Sequence, residues 1–109
     1  MKTFPEPRRG EVWFADVLGE KRRPVLVLTR DPMGRHLNSV VCAPITSNVR
    51  GLSTEVLLGT GEGLAHQSAA NFDNTFLLAR SQLVRRLGKA TEGQMTAACK
   101  CMAIAIGCA

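Results

Sequence analysis

Hydrophobic positions recur along this chain in short runs broken by glycine, proline and charge, a rhythm of strands rather than helices until the C-terminal segment. Glu11–Val17 is rich in β-formers, and Pro24–Thr29 is a short apolar run of the kind that forms a strand buried on both faces. A charged turn from Leu18 to Arg23 separates them. The turn signal Asp31-Pro32-Met33-Gly34 precedes a third predicted strand, Ser39–Ile45, in which Pro44 lacks an N–H and implies a bulge or strand end, so the strand is expected to end close to Thr46-Ser47-Asn48. Ser53–Leu58 reads as a fourth strand. Ser68–Phe72 and Leu83–Lys89 are weaker candidates, with Arg80–Gln82 a short helical turn between them.

Beyond Lys89 the period changes. Thr91-Glu92-Gly93-Gln94 fits a capping box, in which the Thr hydroxyl caps the third helical N–H and the Gln side chain reaches back. From Met95 to Ile106 the only charge is Lys100. Met95, Ala98, Cys99, Met102, Ala105 and Ile106 form an apolar stripe, while Ala97, Cys101 and Ile104 occupy other faces. A helix apolar nearly all round is covered on more than one side, so a homodimer is expected. Five to seven short strands followed by one helix predict a mainly β (α+β) domain, a small, strongly bent antiparallel barrel with a C-terminal helix. The chain of 109 residues has room for one domain, over residues 9–109, behind a frayed lead-in at residues 1–8.

Composition narrows the chemistry. Hydrophobic residues at 45% and charged residues at 21% match soluble globular domains and exclude a disordered chain. No apolar run approaches the roughly 20 residues of a membrane span, and the N-terminus lacks a signal-peptide core, so a cytoplasmic location with no membrane partner is expected. Fourteen Lys and Arg against nine Asp and Glu leave a net charge of +5, and ten of the fourteen are Arg. That balance fits an anionic partner such as nucleic acid, and it also fits simple solubility. Cys99 and Cys101 stand too close together for a usual zinc knuckle, and His36 and His66 are distant in sequence. No metal is therefore expected, and all four cysteines are expected to be reduced and packed in the core. Gly59-Thr60-Gly61-Glu62-Gly63 matches neither a dinucleotide fingerprint nor a P-loop, so it reads as a turn and no cofactor is implied.

The ordered succession Arg9-Gly10-Glu11-Val12-Trp13, Arg23-Pro24-Val25-Leu26-Val27 and Ala43-Pro44-Ile45-Thr46-Ser47 resembles the MazF/PemK family of toxins from toxin–antitoxin pairs. Phe72-Asp73-Asn74 and Leu83-Val84-Arg85-Arg86-Leu87-Gly88 before a C-terminal helix extend the resemblance over nearly the whole chain. The resemblance implies a homodimeric SH3-like barrel that cuts single-stranded RNA (mRNA, tRNA or rRNA loops) without metal. Attack by the 2′-hydroxyl would leave a 2′,3′-cyclic phosphate and a 5′-hydroxyl. It implies Arg23 and Thr46 as the catalytic pair, with Arg9, Glu20, Ser47, Asp73 and Asn74 contacting substrate. It also implies a cognate antitoxin whose acidic, partly disordered segment would fold into the basic groove.

Residue types agree with these roles. A fixed guanidinium stabilises the charge of a phosphorane, yet it is too weak an acid to serve as a base near neutrality, so Arg23 is assigned to electrostatics and Thr46 to positioning. The general base stays open, with Glu20 a candidate if its loop folds back. This chain departs from the family in its shortened first loop, Leu18–Arg22, in Arg30 where an Asn is common, and in Asp73-Asn74 where an acidic-Gln pair is usual. Base contacts made by that loop therefore do not carry over. Arg9 and Glu11 are expected to pair across the strand, Trp13 fits the core better than a base-stacking platform, and Arg85-Arg86 reads as a solvated pair at a groove rim. Two alternatives are a CcdB-like gyrase-binding toxin, disfavoured by the absence of an aromatic near the C-terminus, and a non-catalytic RNA-binding barrel.

Overall fold

The computed structural model describes residues 5–19 and 21–109. Seven strands and one helix follow in the order β1 (Glu11–Ala15), β2 (Arg23–Val27), β3 (Ser39–Thr46), β4 (Glu55–Leu58), β5 (Ser68–Asn71), β6 (Phe76–Ala79), β7 (Leu83–Lys89) and α1 (Glu92–Ala105). All pairings are antiparallel, in the order β4-β5-β3-β2-β1-β7, with β6 paired to the first half of β3. The sheet is strongly wrapped but not closed, so the expected barrel is an open one.

β3 organises the wrap. Residues Cys42–Pro44 pair with β2, Ser39–Cys42 pair with β6, and Ile45–Thr46 pair with β5. The strand ends at Thr46, where it was expected to end, and it runs through Pro44 because the missing N–H falls where β3 changes partners from β6 to β5. β2 is buried on both faces. Leu26 joins Val12, Ile45, Phe72, Met95 and Ala98 in a core beneath α1, while Val25 and Val27 enter a second core with Val40, Cys42, Leu78 and Leu83. This two-sided burial is why β2 reads as an unbroken apolar run.

The open edges, β4 and β7, are bridged by backbone. After β4 a 3-10 turn at Thr60–Glu62 brings Glu62 and Gly63 against Leu87 and Gly88 of β7. A Cβ on Gly88 would lie 2.2 Å from the Glu62 carbonyl oxygen, and Gly63 also requires φ +89°. Glycine at both positions is therefore a condition of the close approach. The helix start secures the same turn. Thr91 Oγ accepts from Gln94 N–H at 3.1 Å and Gln94 Oε1 accepts from Thr91 N–H at 2.8 Å, which is the expected capping box. Gln94 Nε2 then donates to Glu62 Oε1 at 3.0 Å and to the Leu57 carbonyl at 3.3 Å.

Four expectations need correction. α1 turns Met95, Ala98 and Cys101 inward, so Cys99 is exposed and Cys101 is buried, with its thiol donating to the Glu55 carbonyl at 3.6 Å. The helix seats on β4 and the Phe72–Asn74 turn, which selects the i, i+3, i+6 line rather than the one through Cys99. Only Cys42 and Cys101 are core cysteines; Cys99 and Cys108 are exposed. Glu11 pairs with Arg86 across β1 and β7 at 2.8 Å, not with Arg9, whose guanidinium donates to Cys99 Sγ at 3.1 Å. From the lead-in, Pro7 is fully buried and the Pro5 carbonyl accepts from Arg80 Nε at 2.8 Å.

Gly88→Ala should destabilise the fold by roughly 3 kcal/mol, the cost of overpacking against backbone that cannot yield, read by denaturant unfolding. Burial pushes the Cys42 thiol up to about 12 from 9.0, so the unfolded chain ionises first as pH rises. The resulting contribution is intact below pH 9 and is lost between there and about 12, at about 1.4 kcal/mol per pH unit at most. Cys42→Val should flatten that part of the stability profile; an unchanged slope would mean the thiol is not sealed.

Candidate active site

Arg23 opens β2 and Thr46 closes β3, and the strand register puts them together. Val25 pairs with Pro44 and Leu26 with Ala43, so continuing that register by two residues sets Arg23 opposite Thr46. Residues opposite each other on an antiparallel pair project to one face with Cβ atoms about 5 Å apart. The guanidinium also reaches across the pair, with Nη2 donating to the Ile45 carbonyl at 3.5 Å. Thr46 Oγ accepts from Asn48 N–H at 3.1 Å, a turn contact that orients the hydroxyl and leaves its proton to donate elsewhere.

Two clefts share Arg23 and Thr46 in their walls. The larger, about 600 Å³, is lined by Lys21, Arg22, Arg23 and Arg85, with Ser47, His66 and Ser68 as further polar groups. No Asp or Glu stands among its described lining residues. The second, about 430 Å³, adds Arg50, Glu55, Asn71 and Asn74. Glu55 Oε1 accepts from the N–H groups of Arg50 and Leu52 at 3.1 and 3.2 Å, which shapes the loop after β3. One cleft thus concentrates positive charge suited to a polyanion, and the other presents amides and a carboxylate suited to hydrogen-bonding a planar base edge.

The structure brings some expected site residues to these clefts and leaves others elsewhere. Arg23, Thr46 and Ser47 line the first cleft, and Asn74 lines the second. Asp73 is committed to the fold, its carboxylate accepting from Thr54 Oγ at 2.7 Å. Arg9 lies in a third cleft beside the start of α1, with Lys89 and Cys99. Glu20 lies outside the described residues. Arg85 does rim the groove, whereas Arg86 is taken up by Glu11. Trp13 is half-buried against the second core, with its indole N–H donating to Glu11 at 3.1 Å. Lys21, Arg22, Arg50, Glu55 and Asn71 were missed by sequence reasoning. They come from separate segments and carry no local motif, so only the wrapped sheet assembles them. Among the described residues no three His, Cys, Asp or Glu side chains converge into a metal-binding group, and no helix is long and apolar enough to cross a membrane.

Residues 8–106 match the family described as PemK-like, MazF-like toxin of type II toxin-antitoxin system. A probable endoribonuclease MazF5 of Mycobacterium tuberculosis is 38% identical over 103 residues, covering 94% of this chain and 94% of its own length. Among solved structures, Mycobacterium tuberculosis toxin MazF-mt6 superposes with a TM-score of 0.84 at 36% identity, covering 89% of this chain and 96% of that one. A mycobacterial endoribonuclease solved in complex with its cognate antitoxin superposes with a TM-score of 0.82 at 31% identity, covering 93% and 95%.

Exposure divides the thiols cleanly. At pH 8 a bulky thiol reagent should modify Cys99 and Cys108 in the folded protein and reach Cys42 and Cys101 only after denaturation, as read by mass spectrometry. Fast modification of Cys101 would contradict the seating of α1.

Proposed function

The chain belongs to the PemK-like, MazF-like family of type II toxin–antitoxin toxins, and on that premise we propose that it is a sequence-selective endoribonuclease that cuts single-stranded RNA without a metal ion. The observation that carries this reading is that Arg23 and Thr46, which the β2–β3 register sets opposite each other when continued by two residues, both line a cationic cleft and an amide-lined one.

The RNA backbone runs along the first cleft, where Lys21, Arg22 and Arg85 hold phosphates on either side of the reacting one. At the junction the ribose 2′-oxygen forms a bond to the adjacent phosphorus while the bond to the 5′-oxygen breaks. The products are a 2′,3′-cyclic phosphate and a 5′-hydroxyl. Charge builds on the non-bridging oxygens as the phosphorane forms, and a guanidinium already held in place by the sheet stabilises it without reorganisation. A guanidinium stays protonated across the working pH range, so Arg23 acts by its field and its hydrogen bonds. Thr46 donates its hydroxyl proton to a non-bridging oxygen, oriented by the Asn48 N–H. Ser47 and Asn74 contact the RNA on the two sides of that phosphate. Unstacked bases reach the second cleft only from a single strand, which sets the substrate class.

The working unit is a homodimer, supported by Ile104 in the last turn of α1 and Ile106 just after it, exposed at 45% and 62%. The regulator is an antitoxin with an acidic segment that orders within the cationic cleft and displaces RNA by occupying its charges.

Incubation of long mixed-sequence RNA in excess EDTA, followed by mapping of new ends, tests this reading. Discrete cuts are expected, with kcat falling about 10²- to 10³-fold in Arg23→Ala and about tenfold or more in Thr46→Val. Arg85→Gln should weaken RNA binding and reduce the salt slope by about 0.7, the value for one phosphate fewer neutralised on a single strand. RNA left intact by the folded parent protein would sink the nuclease assignment.

A further inference from the structure

Cleavage by the 2′-oxygen needs a group that removes its proton, and neither Arg23 nor Thr46 supplies one near neutral pH. Histidine is the side chain whose ordinary titration lies in that range. His66 lines the same cleft as Arg23 and Thr46, and His36 does not. The sheet explains the placement. Thr46 pairs with Ala69, so Ser68 stands next to Ser47 at the end of the β3–β5 ladder, and His66 follows two residues beyond. The Ser68 hydroxyl donates to the His66 carbonyl at 3.1 Å, which holds the backbone of this segment at the cleft wall.

The other ionisable groups on these walls are poorly suited to accept a proton. Around His66 the cleft presents the cations Lys21, Arg22 and Arg23 from the β1–β2 segment and Arg85 from β7. Nearest on its own connection, Glu62 is engaged by Gly59 N–H at 2.8 Å and by Gln94. In the second cleft, Glu55 holds two backbone N–H groups through Oε1, while its Oε2 has no hydrogen-bond partner but is buried from solvent, where an incoming ribose does not reach it without displacing the loop after β3.

Resting on the nuclease reading above, we propose that His66 is the general base of the cleavage step. The neutral imidazole takes the proton from the 2′-oxygen as that oxygen bonds to phosphorus. The bond from phosphorus to the 5′-oxygen breaks, the departing oxygen takes a proton from water, and the imidazolium returns its proton to solvent. Such positioned proton transfer contributes about 10²- to 10⁴-fold.

The test is a pH profile of single-turnover cleavage in EDTA, using an RNA that the parent protein cuts, for the parent, His66→Gln and His66→Ala. For the parent, the rate should rise with pH and then level off. His66→Gln should lower kcat at least 10²-fold with little change in KM and lose that limb, and added imidazole should partly restore His66→Ala. A parent-like kcat and limb in His66→Gln would overturn the assignment, as would a change confined to KM or a limb falling toward alkaline pH. Failure of the parent to cut RNA at all would remove the nuclease reading and this inference with it, whereas normal cutting by the variants removes only the inference.

Discussion

The hydrogen bonding of β3 is the constraint on which the rest of the structure depends. A single strand of eight residues serves three neighbours, β2 along one edge and β6 then β5 along the other. Pro44 sits at the changeover, where an absent N–H costs the ladder little. Because β3 passes from one partner to the next, the sheet curls around two small cores instead of spreading flat, and the strand finishes at Thr46 between two clefts. A break in that continuity would separate the site from its support as well as loosen the fold.

The same register sets the geometry of the proposed site. Arg23 stands opposite Thr46 because the β2–β3 ladder is in phase, and the phase is held by burial of β2 on both faces. A one-residue slip would exchange Leu26 with Val25 and Val27 between the two cores and turn Arg23 away from the cleft. The fixed placement of the Arg23 side chain is thus inherited from packing of apolar side chains. The backbone contact of Gly63 with Gly88, steadied by Gln94, holds the opposite wall, which carries Arg85. Positive charge is concentrated in the cleft without a nearby carboxylate among the described lining residues, so an extended polyanion meets attraction along its length.

Much of this was legible in the sequence where the deciding forces are local. The bounds of β7, the helical turn Arg80–Gln82 and the capping box at Thr91 follow from neighbouring residues and appear as expected. β6 was missed because Phe76-Leu77-Leu78-Ala79 is short and lacks alternation; its strand form comes from pairing with β3. The partner of Glu11 was missed for the same reason, since Arg86 reaches it only through the β1–β7 ladder. Arg23 and Thr46 were legible through the ordered motifs, but their opposition across one strand pair was not. The remaining cleft residues come from loops and strands far apart in the chain, and long-range pairing brings them to one surface.

The most direct test is a crystal structure with an RNA whose scissile 2′-hydroxyl is replaced by hydrogen, so that it binds but cannot react. The scissile phosphate should lie within hydrogen-bond distance of both the Arg23 guanidinium and the Thr46 hydroxyl, with the flanking phosphates toward Lys21, Arg22 and Arg85. A strand that crosses the cleft beside Arg9 and Lys89, leaving Arg23 and Thr46 without a phosphate between them, would contradict the placement of the reaction at the β2–β3 pair.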